Sequence, residues 1–505
     1  MTPEAVAAAA DPERFPEQIA EEGLRPWRVP KLYRGGVRAN EPWNINFAAG
    51  QYSPWLGDSY YNFGTYGLSL QRSQTSGRTR TSLGPVPYYY ERLSEPGPGP
   101  ESGFFNGLDV TIGGLFELTG EVPPEGAGEL LLAIAGHVQR ALTEVRPGRP
   151  ADVVGDLTGG LARTRELLAL LPEDSESAFM LKIKEQQFQH AIATALGLTF
   201  TAIAQPTGTP PAVSFWQAPA TMGSVVRGQS FEVDARLYVP TDIAVDEVVL
   251  SLSDPTGLPQ EAWQTAGDVR QTDPFHQVVF STTVPGDAVY ARPYYFRNSV
   301  KENHYQLREP RWIHRPTRPA GLQAEARLNV LGGPVHLVRD VQTREADLPY
   351  GFVMRNLQVM PALAVNVSPA QRVVIPREAG SRFTVSAELI NNVAGGSNGV
   401  LSLELPDSWM ATPASHALNF AQAGERQLFA FEVTVPDLGV GQDYEVRAIA
   451  QVGDAALSEG YQIIRHRDME TRYLFREATT LVTGLDVGVA ANLNVGYVMG
   501  VGDEV

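Results

Sequence analysis

The sequence predicts a multidomain, mainly β protein in which a helical bundle precedes two tandem antiparallel β-sandwiches of immunoglobulin-like type. Three observations carry that expectation. The chain of 505 residues exceeds one ordinary core, since domains average about 150 residues. Apolar residues keep helical spacing through residues 125–200. Beyond residue 212 the apolar period becomes two, and part of that pattern recurs further along the chain.

The chain opens on Thr2-Pro3-Glu4, a helix start in which Thr2 caps and Pro3 takes the first helical position, where its missing N–H costs nothing. The alanine run that follows extends only to Asp11-Pro12. From 31 to 118 the composition turns to Gly, Pro, Ser and aromatics, with Phe47, Tyr52, Trp55, Tyr60, Tyr61, Phe63 and Tyr66 close together and no sustained period. Such a stretch reads as loop-rich and in need of another surface to pack on.

Residues 119–209 read as a three-helix segment. Leu131, Ile134, Ala135, Val138, Leu142 and Val145 form one stripe, Val154, Leu157, Leu161, Leu168 and Leu171 a second, and Leu181, Phe188, Ile192 and Ala195 a third. Short connections predict an antiparallel bundle.

The repeat is legible letter by letter. Phe231, Val233, Ala235 and Leu237 recur as Phe383, Val385, Ala387 and Leu389, an offset of 152. Val249–Leu252 recurs as Val400–Leu403, and Phe280, Val284 and Pro285 recur as Phe431, Val435 and Pro436, an offset of 151. Alternation within each strand gives one buried and one solvated face, hence two sandwiches at 210–358 and 359–466. After a linker, the terminal run from Val495 ends in Gly500-Val501-Gly502-Asp503. It reads as an orphan strand, the first of an α/β domain that stops there, and 467–505 is assigned to it.

Charge and composition narrow the function. The net charge of −17 repels phosphate backbones, which argues against nucleic-acid binding. No stretch offers the roughly 20 apolar residues of a membrane span. With no cysteine, thiol nucleophiles, thiolate zinc sites and disulfides are excluded, a composition that suits an exported bacterial protein. The eight histidines show no HxxH, HExxH or HxH spacing, and no AHPDDE-like run occurs. His137 sits at the edge of a buried helical stripe and His190 turns away from one. No catalytic or metal-ligating residue is assigned.

One stretch carries a binding signature. Residues 292–318 hold Arg292, Arg297, Lys301, Arg308, Arg311, Arg315 and Arg318 interleaved with Tyr294, Tyr295, Phe296, Tyr305 and Trp312. Guanidinium planes and aromatic faces stack on sugar rings, which makes Tyr294 and Trp312 candidate glycan contacts. The same composition also suits a domain-packing loop whose arginines pair with Glu302 and Glu309.

Separate, collinear landmarks resemble large bacterial members of the PIG-L/LmbE family. They are Asp11–Gln18, Pro30–Tyr33, Gly50–Tyr60 with its Gln-Tyr-Ser-Pro-Trp-Leu-Gly core, Arg72-Ser73-Gln74, Gly107–Asp109, Arg292–Phe296, Val359–Leu363 and Val495–Asp503. The resemblance implies a zinc-dependent N-deacetylase of N-acetylglucosamine-type conjugates with a Rossmann-like catalytic lobe, active on glycoconjugates or cell-envelope polysaccharide, in a periplasmic or secreted setting. It implies that 1–118 is the loop-rich C-terminal remnant of that α/β lobe, and that the second sandwich is of the α-galactosidase-associated type. Arg72, Ser73 and Gln74 match a family segment beside the catalytic site. The family's metal motifs are absent here, so this chain is expected to hold no zinc and to act as a non-catalytic accessory region. A standalone glycan- or envelope-binding adhesion protein is the alternative.

Overall fold

The computed structural model describes residues 1–71, 81–94, 101–210, 217–257, 262–271, 275–298, 302–313, 315–376, 380–436, 438–465, 470–488 and 494–498. The chain forms two compact units: Met1–Gly136 with Glu166–Lys182, and His137–Arg165 with Ile183–Val505. Strand dominates, as the patterning predicts.

In the first unit the opening helix spans Thr2–Ala9 with Met1 as its cap, so Thr2 is already helical and Pro3 follows it. The loop-rich region contains an antiparallel three-stranded sheet, with Pro87–Arg92 between Tyr33–Val37 and Ile45–Ala48. The neighbouring turn is closely built: a Cβ on Gly50 would lie 1.8 Å from the Gly84 carbonyl oxygen.

A polar cluster ties the 101–106 segment to this sheet. Lys31 Nζ donates to Glu101 Oε1 at 2.7 Å, Arg92 Nη1 donates to the same oxygen at 2.8 Å, and the Tyr33 hydroxyl donates to Glu101 Oε2. Burial pushes the Glu101 carboxyl up, but the Lys31 and Tyr33 hydrogen bonds and the Lys31 and Arg92 charges outweigh it and hold the group below its ordinary range. A carboxyl lowered in the folded state stabilises the fold above its unfolded value and loses that contribution as pH falls through the folded value. Burial and the Glu101 hydrogen bond push Tyr33 to about 12; its contribution is whole below its unfolded value and is lost as pH rises through about 12. Glu101→Gln is therefore expected to flatten the acid limb of a stability–pH profile. An unchanged limb, measured by denaturant unfolding from about pH 6 to about pH 3, counts against the assignment.

The helices form at Ala127–Glu144, Val154–Leu168 and Glu176–Ala195. Leu181, Phe188, Ile192 and Ala195 are buried as the third stripe predicts. In the first helix the buried line runs through Ala127, Leu131, Ile134 and Ala141, whereas Val138 and Leu142, and Val145 just past its end, are exposed. His137 meets Asp156 at 2.8 Å and packs against Gly159, and His190 is exposed.

The second unit holds the two sandwiches. In the first, a six-stranded sheet runs Gln264–Gln271, Phe275–Thr283, Ser230–Tyr238, Thr199–Gln205, Gln342–Asp347 and Gly351–Asn356. It is accompanied by a sheet of Gly333–Asp340, Gln323–Val330 and Val245–Ser253. The first strand, Thr199–Gln205, starts upstream of the expected boundary at 210: its alternating Phe200, Ala202 and Ala204 are buried and join this sheet directly after the helix.

In the second sandwich the sheets are Leu363–Ser368, Ser381–Asn391, Arg426–Val435, Met410–Thr412 and, opposite, Gln371–Val374, Thr479–Gly484, Asp443–Val452, Ser397–Glu404, Ser415–Phe420. Their inner faces share a core that includes Leu389, Leu401, Phe420, Phe431 and Ala448. Thr479–Gly484 completes a sheet here, with Val482 in the core, so the sandwich extends beyond 466 and this part of 467–505 is not a linker. Residues 494–498 carry no strand, and the glycine turn at 500–503 lies outside the described residues.

The repeat register is reproduced in the pairing. Phe231 lies opposite Thr282 and Val233 opposite Phe280; Phe383 lies opposite Val433 and Val385 opposite Phe431. All four phenylalanines are buried. One position breaks the equivalence, because Thr282 occupies the place of Val433 and its buried hydroxyl has no hydrogen-bond partner among the described residues. Removing an orphan hydroxyl while keeping the shape recovers its desolvation cost, so Thr282→Val is expected to stabilise the protein by about 1–2 kcal/mol. A loss of stability on thermal or denaturant unfolding contradicts that.

Candidate functional site

The strand register also locates an insertion. Thr282 corresponds to Val433, but Ala324 corresponds to Ala448, so the offset falls from 151 to 124 and the first sandwich carries 27 extra residues between these strands. The insertion contains the arginine and aromatic stretch. It folds on itself through a short pairing of Tyr295–Phe296 with Gln306–Leu307 and a tight turn at Pro310–Trp312.

Its arginines are mostly engaged. Arg318 pairs with Glu309 at 3.1 Å and donates to the Tyr290 carbonyl, and Arg311 donates to the Gly257 carbonyl at 2.8 Å. Arg297 donates to the Glu302 carbonyl, and Arg308 lies 4.1 Å over the Phe296 ring. Burial draws the Arg318 guanidinium below its ordinary value, and Glu309 opposes that shift. Lys301 and His314 lie outside the described residues.

Trp312 is only 8% exposed and Tyr294 5%. The indole N–H of Trp312 donates to Glu309 and the hydroxyl of Tyr294 to the Arg315 carbonyl. The two rings expected to contact a glycan therefore share no open flat face; they are packing residues of the insertion. Arg72, Ser73 and Gln74 lie outside the described residues.

Arg292 connects the sandwiches. Its guanidinium forks onto the Glu459 carboxylate, with N–O distances of 2.6 and 2.5 Å, and lies 4.6 Å over the Phe475 ring. Glu459 and Phe475 belong to a hairpin of Glu459–Ile464 with Arg472–Glu477. The hairpin sits close on the second sandwich, since a Cβ on Gly460 would lie 2.3 Å from the Val365 carbonyl oxygen. Met360, Ala364, Ile390 and Tyr461 form a small core at this joint, and Ala291 of the insertion packs against it. Burial there pushes Tyr461 to about 12.

Beside the joint lies a cleft of about 610 Å³ lined by Trp263, Tyr294, Arg315, Asp340, Asn356 and Tyr473 among others. Asp340 is already satisfied by Gln323 and Asn356. Trp263 is different: its ring meets Phe231 edge-on at 6.3 Å, while its buried indole N–H has no hydrogen-bond partner among the described residues. Buried donors rarely remain orphaned, so this one marks a place where an acceptor fits. Nothing in the sequence singled out Trp263, because its significance comes only from the cleft that folding creates.

The cleft offers donors and flat rings rather than a nucleophile held by a base. Among the described residues no group of three or more His, Asp or Glu is placed to hold a metal ion. His336 pairs with Glu325, and His416 meets the Ala430 carbonyl, in separate places. The described residues do not supply a zinc ligand set. No helix among the described residues is long and apolar enough to cross a membrane.

No family model matches the chain, and no curated protein matches it. Among solved structures it is similar to native Escherichia coli α2-macroglobulin, at 11% identity over 52% of this chain and 16% of that one, with a TM-score of 0.18. A Calx CBD1 domain is similar at 10% identity over 24% of this chain and 96% of that one, and the E. coli chaperone DraB at 11% over 25% and 58%, each with a TM-score of 0.15. At such scores these likenesses carry no argument, and the sandwiches rest on the strand pairing described above.

Proposed function

We propose that this chain is the non-catalytic accessory region of a zinc-dependent N-deacetylase of N-acetylglucosamine-type glycoconjugates, its sandwiches being immunoglobulin-like. The observation that carries the reading is the aromatic surface of the first unit. In the Tyr60–Ser69 helix, Tyr60, Phe63 and Tyr66 face outward while Ser69 is buried, and Trp55 on the adjoining hairpin is 81% exposed. A helix that turns its rings outward and buries a serine requires an apolar partner. The catalytic lobe is that partner in this reading, and it supplies the metal.

The purified chain alone is expected to bind no stoichiometric zinc and to release no acetate from N-acetylglucosamine conjugates. A separately produced family lobe bearing the metal motifs should bind it, and Phe63→Ser with Tyr66→Ser should abolish that binding. Metal analysis, acetate release and calorimetry check these outcomes; chelator-sensitive turnover by residues 1–505 alone would overturn the reading.

A standalone glycan- or envelope-binding protein is favoured by one observation, the orphan Trp263 N–H at the cleft. On that reading, N-acetylglucosamine oligomers quench or shift the tryptophan emission, and Trp263→Phe abolishes the response while leaving the unfolding midpoint nearly unchanged.

A further inference from the structure

The six-stranded sheet of the first sandwich ends on Gly351–Asn356, which pairs on one side only, with Gln342–Asp347. The Leu357 N–H donates to the Val341 carbonyl. In an antiparallel ladder bonded pairs alternate, so the next ones inward are 355 with 343 and 353 with 345. The main-chain N–H and C=O groups of Phe352, Met354 and Asn356 therefore point away from the sheet. None of them meets a hydrogen-bonding partner among the described residues.

Free edges normally carry charges, proline or short strands that discourage pairing. The opposite edge of this sheet, Gln264–Gln271, contains Asp268 and Arg270. In the accompanying sheet, Gly333–Asp340 has Pro334, Arg339 and Asp340, and Val245–Ser253 has Asp246 and Glu247. The Gly351–Asn356 strand itself contains no proline, and the run from Leu348 to Met354 carries no charge. Phe352 is 47% exposed and Met354 39%. Arg355, the first charge, is occupied by Glu345 and Thr471.

We infer that this edge pairs antiparallel with the same edge of a second copy of the chain, in the register that sets Phe352 opposite the second copy's Met354. The strand is complementary to itself. About Val353 as centre, each Phe352 exchanges both main-chain hydrogen bonds with the second copy's Met354, and the symmetry repeats the pair. Alternation puts the four side chains on one sheet face, where sulfur against ring is a favourable contact. The pairing brings no charge opposite a like charge. It is independent of the catalytic-lobe reading, which concerns the other unit.

Sedimentation of the full chain from sub-micromolar to near-millimolar concentration should show reversible formation of a species of twice 54.9 kDa. Met354→Pro removes an outward N–H without touching the internal ladder, so it should keep the fold and weaken association by at least about tenfold. Because the chain has no cysteine, the register can be read by disulfide. Phe352→Cys chains mixed with Met354→Cys chains should cross-link under mild oxidation, and neither should cross-link efficiently alone, since only the mixed pair lies directly opposite. A folded wild type that stays monomeric throughout overturns the inference and leaves the edge to an extended strand of another protein. Association unaffected by Met354→Pro, with no cross-link in the mixture, overturns it as well.

Discussion

Phe431→Ala should cost about 3–5 kcal/mol of folding stability, and Phe231→Ala a similar amount, because each leaves a ring-sized cavity in a core that cannot fully collapse. Both rings are among the largest fully buried side chains. Phe431 packs with Leu389, Leu401, Phe420 and Ala448, drawn from both sheets of its sandwich, so its loss separates faces that nothing else fills. Phe231, the first sandwich's counterpart of Phe383, is likewise fully buried and additionally supports the Trp263 ring. Phe→Leu at either place should recover more than half of the loss, since it restores most of the volume. Denaturant unfolding measures both, and a cost below about 1 kcal/mol for either alanine variant would show that the ring is not a core residue.

These cores were legible in the sequence because a half-buried strand writes its burial as period two. SFEVDARL and RFTVSAEL carry that pattern at matching places, and the paired partners Phe280 and Phe431 follow at the offset the ladder demands. Boundaries were less legible. Thr199–Gln205 follows its helix after three residues, and its small alternating alanines resemble a helix end as much as a strand. Thr479–Gly484 lay beyond the last repeated letters and so looked like linker.

The first helix shows a different loss of information. Its apolar stripe extends through Val138 and Leu142, yet Ala141 is the residue that turns inward. Periodicity reports which faces are apolar, but not how much of a face meets a partner. The insertion was visible as an arginine-aromatic stretch whose two readings differ only in whether rings are open or buried. Burial of Tyr294 and Trp312 decides for packing, and the orphan indole appears instead at Trp263, just before the Gln264–Gln271 strand, where no sequence pattern marked it. The site depends on two sandwiches meeting, which no local pattern encodes.

An ion pair ties that joint together, and Arg292→Ala is expected to cost about 1.5–3 kcal/mol. The side chains of Arg292 and Glu459 are 17% and 22% exposed. The pair is thus neither a solvated surface bridge, which is worth about 0–1 kcal/mol, nor a fully dry one, whose breakage costs about 3–5 kcal/mol. Both hydrogen bonds go to one carboxylate, and removing the guanidinium leaves the partly buried Glu459 carboxylate without them. Arg292→Lys cannot reproduce the fork and should lose much of the same energy. Replacing both partners by methionine should cost less than either single alanine, because no unpaired charge remains. The loss should also appear as reduced coupling: in Arg292→Ala the two sandwiches are expected to unfold in separable steps where the wild type unfolds them together. A double-mutant cycle on Arg292 and Glu459, read by calorimetry, tests both points, and an interaction energy near zero with an unchanged single transition would remove this pair from the joint.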